Sequence, residues 1–160
     1  MSRSLKRVRR ALEEAAVAAD VRELGETRTA EQAAAAVGSE LDQIVKSIVF
    51  KGEASGGVRL FLTAGGNRVC PVRASELAGE TLGRADAGLV REQTGFAIGG
   101  VAPVGLVTAV PTWFDPRLLA FPQVWAAAGT PRHVFAIDPL VLLRITGAEQ
   151  ADFTASDGPG

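Results

Sequence analysis

A single α+β domain, with a mixed or antiparallel sheet and helices packed around it, is the architecture this sequence predicts. Three features carry that prediction. The N-terminal residues repeat apolar side chains at helical spacing, the interior holds short β-branched runs cut by glycine turns, and the last third contains two Asp-Pro pairs of the kind that open helices. The 160 residues, 47% of them hydrophobic, suit one domain with a sizeable core. The domain is expected over 1–150, with a short polar tail over 151–160.

In the opening helix Leu5, Val8, Leu12, Ala15, Ala16 and Ala19 share one face. Arg3, Lys6, Arg7, Arg9 and Arg10 surround that stripe; their charge opposes the helix dipole, so they form either a solvated face or a phosphate-facing patch. A short strand is expected over 21–24. Thr29 then offers a helix cap with Gln32 three residues on, the spacing of a capping box, and Gly38 ends that helix. Residues 44–50, Ile-Val-Lys-Ser-Ile-Val-Phe, predict a central strand, and Gly56-Gly57 turns the chain into a second over 58–63. After the Gly65-Gly66-Asn67 turn come a short helix over 71–78, a small strand over 82–85 and a helix over 86–93. The β-branched residues of 106–110 predict a buried strand. Asp115-Pro116 opens one turn, 123–127 and 133–137 read as strands around Gly129, and Asp138-Pro139 starts the last helix.

Composition closes several routes. A formal charge of -1 argues against a protein that coats long nucleic acid, though not against a local basic patch. One Cys and one His exclude a Cys/His zinc site and any intramolecular disulfide within the chain, which suits a reducing, cytoplasmic setting. The uncharged stretch 93–114 is long enough to span a bilayer, but its glycines and prolines read as strand, loop and strand. No membrane association and no cofactor are expected.

Lys46 is the first residue of chemical interest. It shares a strand face with Ile44, Ile48 and Phe50, so it must snorkel outward, pair with an acid or line a cleft. Ser47 points to the opposite face, which argues against a Ser-Lys nucleophilic pair. The run Gly99-Gly100-Val101-Ala102-Pro103-Val104-Gly105 lacks the Lys-Ser/Thr of a phosphate-binding P-loop. It is either a plain tight turn or a bent backbone whose N–H groups hold a carbonyl oxygen, oxyanion or phosphate. His133, the sole histidine, is open to a structural or a polar catalytic role. Cys70 reads as a small, buried or half-buried side chain.

The Lys46 strand (43–50), the segment Thr94-Gly95-Phe96-Ala97-Ile98 leading into the Gly99–Gly105 loop, and Ala126-Ala127-Ala128-Gly129 followed by His133 together resemble the YbaK/EbsC family, free-standing relatives of the editing domain inserted in bacterial prolyl-tRNA synthetases. The resemblance covers about residues 20–148. It implies a mixed, barrel-like sheet flanked by helices, and a metal-independent hydrolase that removes Ala or another small amino acid such as Cys from mischarged tRNA(Pro), with Ser- or Thr-charged tRNA cleaved by some relatives. On that resemblance Lys46, Gly99, Gly100 and His133 are the expected catalytic residues, and Ile44, Phe50, Val101, Ala102, Pro103 and Gly105 the substrate-binding ones. The basic residues of the first helix are expected to touch tRNA, with transient association with a synthetase. A tRNA-binding module without catalysis, or a hydrolase of a small free ester, are the alternatives.

Overall fold

The computed structural model describes residues 2–25 and 27–155. Among the described residues eight strands form two sheets. β1 (Asp20–Glu23), β7 (His133–Ile137) and β6 (Val124–Ala127) make an antiparallel sheet in the order β1-β7-β6. β4 (Leu82–Arg84), β2 (Val45–Gly52), β3 (Val58–Ala64), β5 (Thr112–Phe114) and β8 (Glu149–Gln150) make a mixed sheet in that order, parallel at β3–β5 and β5–β8. A parallel bridge between Ile44 and Trp125 joins the two sheets. The α+β class and the helix-flanked mixed sheet are as the sequence predicts.

The helices start and stop where local chemistry dictates. Ser2 caps α1 (Arg3–Glu14) by accepting the Leu5 N–H, and Asp138 caps α5 (Pro139–Thr146) through the Leu140 N–H. Thr29 caps α2 (Ala30–Val37) by accepting the Gln32 N–H. The Gln32 side chain accepts the N–H of Arg28, where a capping box would have it take that of Thr29. α3 (Pro71–Ala78) and α4 (Ala87–Thr94) both end on left-handed glycines. Asp115-Pro116 opens a single 3-10 segment, Pro116–Ala120.

The main core lies between the sheets and α1, whose Leu5, Val8 and Leu12 pack with Leu60, Leu62, Phe114 and Phe135. A second cluster on the other side of the mixed sheet contains Phe61, Trp113 and Phe153.

Two expectations need correction. The strand expected over 106–110 is an irregular loop with Val107 half exposed; the strand follows at Thr112–Phe114, where the backbone can pair with β3. The domain also extends past residue 150. Phe153 is fully buried, edge-on to Phe61 at 5.0 Å between ring centroids, and Thr154 bridges Val69. The remainder of the expected tail, 156–160, lies outside the described residues.

Candidate active site

β2, second in the mixed sheet beside the short edge strand β4, has a partly open edge. β4 pairs with β2 only at Phe50, Lys51 and Gly52, so residues 46–49 have no strand neighbour on that side among the described residues. A cleft of about 320 Å³ runs along this edge. Lys46, Ser47 and Ile48 form one wall, Gly99 and Val101 another, and Trp125, Thr130 and His133 close it from the three-stranded sheet. The start of α2, from Thr29 to Ala33, borders the mouth. An open strand edge, a glycine loop and a lone histidine thus meet although they come from distant parts of the chain.

Lys46 is half-buried, and its ammonium donates to the backbone carbonyl of Asn67. Burial pulls its pKa below the ordinary 10.5, while the carboxylates of Glu31, Asp42 and Asp115 oppose the shift and Arg68 adds to it. The Asn67 acceptor is itself fixed. Its side-chain amide donates to Asp115 Oδ2 at 2.9 Å, and Asp115, only 2% exposed, also accepts the N–H groups of Ala64 and Arg117. Asp42 accepts Gly66 N–H through one oxygen and Arg117 Nε through the other. The turn that receives the lysine is therefore held by two carboxylates whose hydrogen-bonding needs are met.

His133 pairs with Glu23 across β1 and β7. Its Nδ1 lies 2.6 Å from Thr130 Oγ1, and its Nε2 3.9 Å from Glu23 Oε2. Thr130 Oγ1 accepts the Arg132 N–H.

The glycine loop divides its labour. Gly99, at φ +90°, lines the cleft with Val101. Gly100 does not: its N–H bonds to the Ala97 carbonyl, and a Cβ there would stand 2.9 Å from Thr130 Cα. Its missing side chain lets the turn that carries His133 approach the loop. Of the expected substrate-binding residues, Ile44 and Val101 line the cleft. The other expected positions face elsewhere. Phe50 packs edge-on to Phe61 in the second cluster, Ala102 is fully buried in the main core, and Pro103 and Gly105 border a separate groove beside Ala11 of α1 and Ala15 just after it.

The basic helix is likewise split. Arg7 turns inward, donating through Nε to the Gly105 carbonyl (2.8 Å) and through Nη2 to Gly95 (2.6 Å), with its guanidinium over the Phe96 ring. That makes it a structural clamp: two of its donors go to backbone carbonyls and its guanidinium covers a buried ring. Arg3, Lys6, Arg9 and Arg10 are exposed. Arg9 and Arg132 border a second cavity of about 640 Å³ that shares Thr130, Pro131 and His133 with the first.

Sequence reasoning overlooked Trp125, Thr130 and the Asn67–Asp115 pair. Ser47 faces away from Lys46, but at an open edge both strand faces border the cleft. The spacing of Thr130 three residues before His133, and an Asp doing more than opening a turn at 115, were the available signals.

A family model for the aminoacyl-tRNA editing domain matches residues 25–145. The chain belongs to that family. Solved structures agree in fold and length with this editing-family member. One, described as a candidate trans-editing enzyme for prolyl-tRNA synthetase, is 49% identical with a TM-score of 0.90 and covers 98% of this chain and 99% of its own. Another, from work on computational epitope backbone grafting, is 47% identical with a TM-score of 0.91, over 98% of this chain and all of its own. The uncharacterized protein YwhH of Bacillus subtilis is 33% identical over 111 residues, 69% of this chain and 70% of that protein. Among the described residues no cluster of His, Cys, Asp or Glu is arranged to hold a metal ion, and no helix is long and apolar enough to cross a membrane.

Proposed function

We propose that the protein is a trans-editing deacylase that hydrolyses the ester of mischarged tRNA, with tRNA(Pro) carrying Ala or another small amino acid such as Cys as substrate. The observation that carries this reading is the convergence of Lys46, His133 and Gly99 on one cleft in an editing-family fold. An aminoacyl ester is already activated, so a positioned water can attack it directly. Backbone N–H groups at Gly99 and Val101 hold the carbonyl oxygen as it becomes an oxyanion. Lys46 contacts the substrate or the terminal adenosine phosphate, and His133 makes a polar contact to ester or water. The substrate's ribose hydroxyl or α-amine assists in activating the water. Arg9 and Arg132, beside the second cavity, contact acceptor-end phosphates. A transient complex with the synthetase would deliver the substrate in the cytoplasm, where translation runs.

The test is deacylation of tRNA charged with Ala, Cys, Ser or Thr, by the native protein and by Lys46→Ala. We expect turnover of at least one ester and a loss of about a hundredfold in the variant. Survival within about threefold, only about 0.7 kcal/mol, makes Lys46 a bystander. Binding of tRNA without turnover leaves a binding module, and equal rates on the same ester of a free nucleoside point to a small-ester hydrolase.

A further inference from the structure

Three charged side chains converge on the second cavity without pairing with one another. Glu23 of β1, Arg9 of α1 and Arg132 of the turn before β7 border it, and all three are exposed. The Glu23 carboxylate accepts no hydrogen bond from a described residue; His133 Nε2 stands 3.9 Å away, beyond hydrogen-bond reach. Backbone bonds fix where these groups sit. Glu23 pairs with His133 in the ladder, and the Leu24 N–H donates to the Arg132 carbonyl at 2.6 Å. The cavity therefore presents a carboxylate and two guanidinium groups, held in place before any ligand arrives.

Thr130, Pro131 and His133 border this cavity and the cleft alike. Ligand pockets run from about 300 to 1,000 Å³. At about 320 and 640 Å³, each of the two spaces suits one nucleotide-like unit. With the ester against Gly99 and the terminal adenosine in the cleft, the RNA strand crosses the shared wall, and the preceding nucleotide falls in the second cavity. Arg9 and Arg132 account for its phosphate. They do not account for Glu23, whose negative charge repels phosphate and would be a liability in a site that served phosphate alone.

A carboxylate accepts N–H groups, and base edges differ in whether they offer one. Cytosine presents an exocyclic amine at N4, whereas uracil presents a carbonyl oxygen in the same place. Single-stranded RNA leaves those edges free to be read. The nucleotide before the terminal adenosine of tRNA is a cytidine. Resting on the deacylase reading above, we propose that the second cavity is a nucleotide subsite in which Glu23 accepts the N4 amine of the penultimate base. A uracil there sets acceptor against acceptor.

The experiment uses tRNA(Pro) ending in CCA or in CUA, both charged chemically with whichever of Ala, Cys, Ser or Thr the native protein removes fastest. The same aminoacyl ester of adenosine is the third substrate. The native protein is expected to favour the CCA end by at least about fivefold in kcat/KM, and to cleave the adenosine ester more slowly than either tRNA. Glu23→Ala is expected to bring the CCA-to-CUA ratio within about twofold. An effect of Glu23 on His133 alone would change both rates by the same factor and leave the ratio at its native value, which would overturn the assignment. Equal native rates on CCA and CUA ends would also overturn it, while turnover of both leaves the deacylase reading standing. An adenosine ester cleaved as fast as the tRNA esters removes the subsite and the tRNA reading together, and a native protein that cleaves none of the substrates removes hydrolysis itself.

Discussion

Lys46 sits in an environment that disfavours its charge, and the consequence is measurable as stability against pH. At pH values below its folded pKa both the folded and the unfolded chain hold the proton, so the full burial penalty is present. Between the folded pKa and the ordinary 10.5 the unfolded chain binds the proton more than the folded one does, and stability rises with pH. The stability of the native protein relative to Lys46→Met should therefore improve as pH is raised from 7 towards 10.5 in urea titrations. A pH-independent difference would mean that burial does not perturb the amine. Gly100 offers a second test at this scale. Gly100→Ala would push a Cβ against the Thr130–Pro131 backbone, which cannot swing aside as a side-chain tip can. Stability and turnover should fall together, since the same movement displaces His133; a variant with native stability and reduced turnover would restore Gly100 as a direct participant.

At the scale of elements, α1 is anchored by donors that its sequence pattern does not distinguish from solvated ones. Arg3, Lys6, Arg7, Arg9 and Arg10 read alike in a helical projection, but only Arg7 meets the carbonyls of Gly95 and Gly105. Arg7→Ala should cost on the order of 3 kcal/mol in urea unfolding, two charged hydrogen bonds being lost and two carbonyls left unpaired. It should leave the salt dependence of tRNA binding unchanged. Replacing Arg9 and Arg132 with Gln should do the reverse, lowering the slope of log affinity against log salt by about 0.7 for each lost phosphate contact with single-stranded acceptor. A destabilised Arg9/Arg132 variant with an unaltered slope would remove the proposed phosphate path. Most elements were legible from local chemistry, because caps, Asp-Pro pairs and β-branched runs act within a few residues of themselves. The segment 106–110 was not. Its Val and Leu residues suit a strand, but a strand also needs a neighbour to pair with, and β3 offers its edge to Thr112–Phe114 instead.

For the molecule as a whole, the cleft depends on contacts between residues far apart in sequence, which is why Lys46 could be singled out by its odd strand position while its support could not. Nothing in the order of residues announces that Asp115 would hold Asn67, or that residues 153–155 would return to the same turn. Yet the Cys70 N–H donates to the Phe153 carbonyl at 2.7 Å, the Ala155 N–H donates to Arg68 at 2.7 Å, and Val69 bridges Thr154. The segment 68–70 follows directly on Asn67, the residue that receives the Lys46 ammonium. Phe153 also packs on Phe61, which lies opposite Ile48 across the β2–β3 ladder, so the closing segment supports both the floor of the cleft and the acceptor of its lysine. Two variants separate these contributions. Phe153→Ala removes the ring but keeps the backbone bonds, and should cost about 3–5 kcal/mol in unfolding, with turnover largely retained under conditions where the protein remains folded. Ending the chain after Gln150 removes ring and bonds together. It should be less stable still, and in the folded fraction it should lower kcat more than Phe153→Ala does, because Asn67 loses the neighbours that fix its turn. Equal kcat in the two variants would confine residues 151–155 to stability, and a native unfolding midpoint after truncation would show that the domain closes without them.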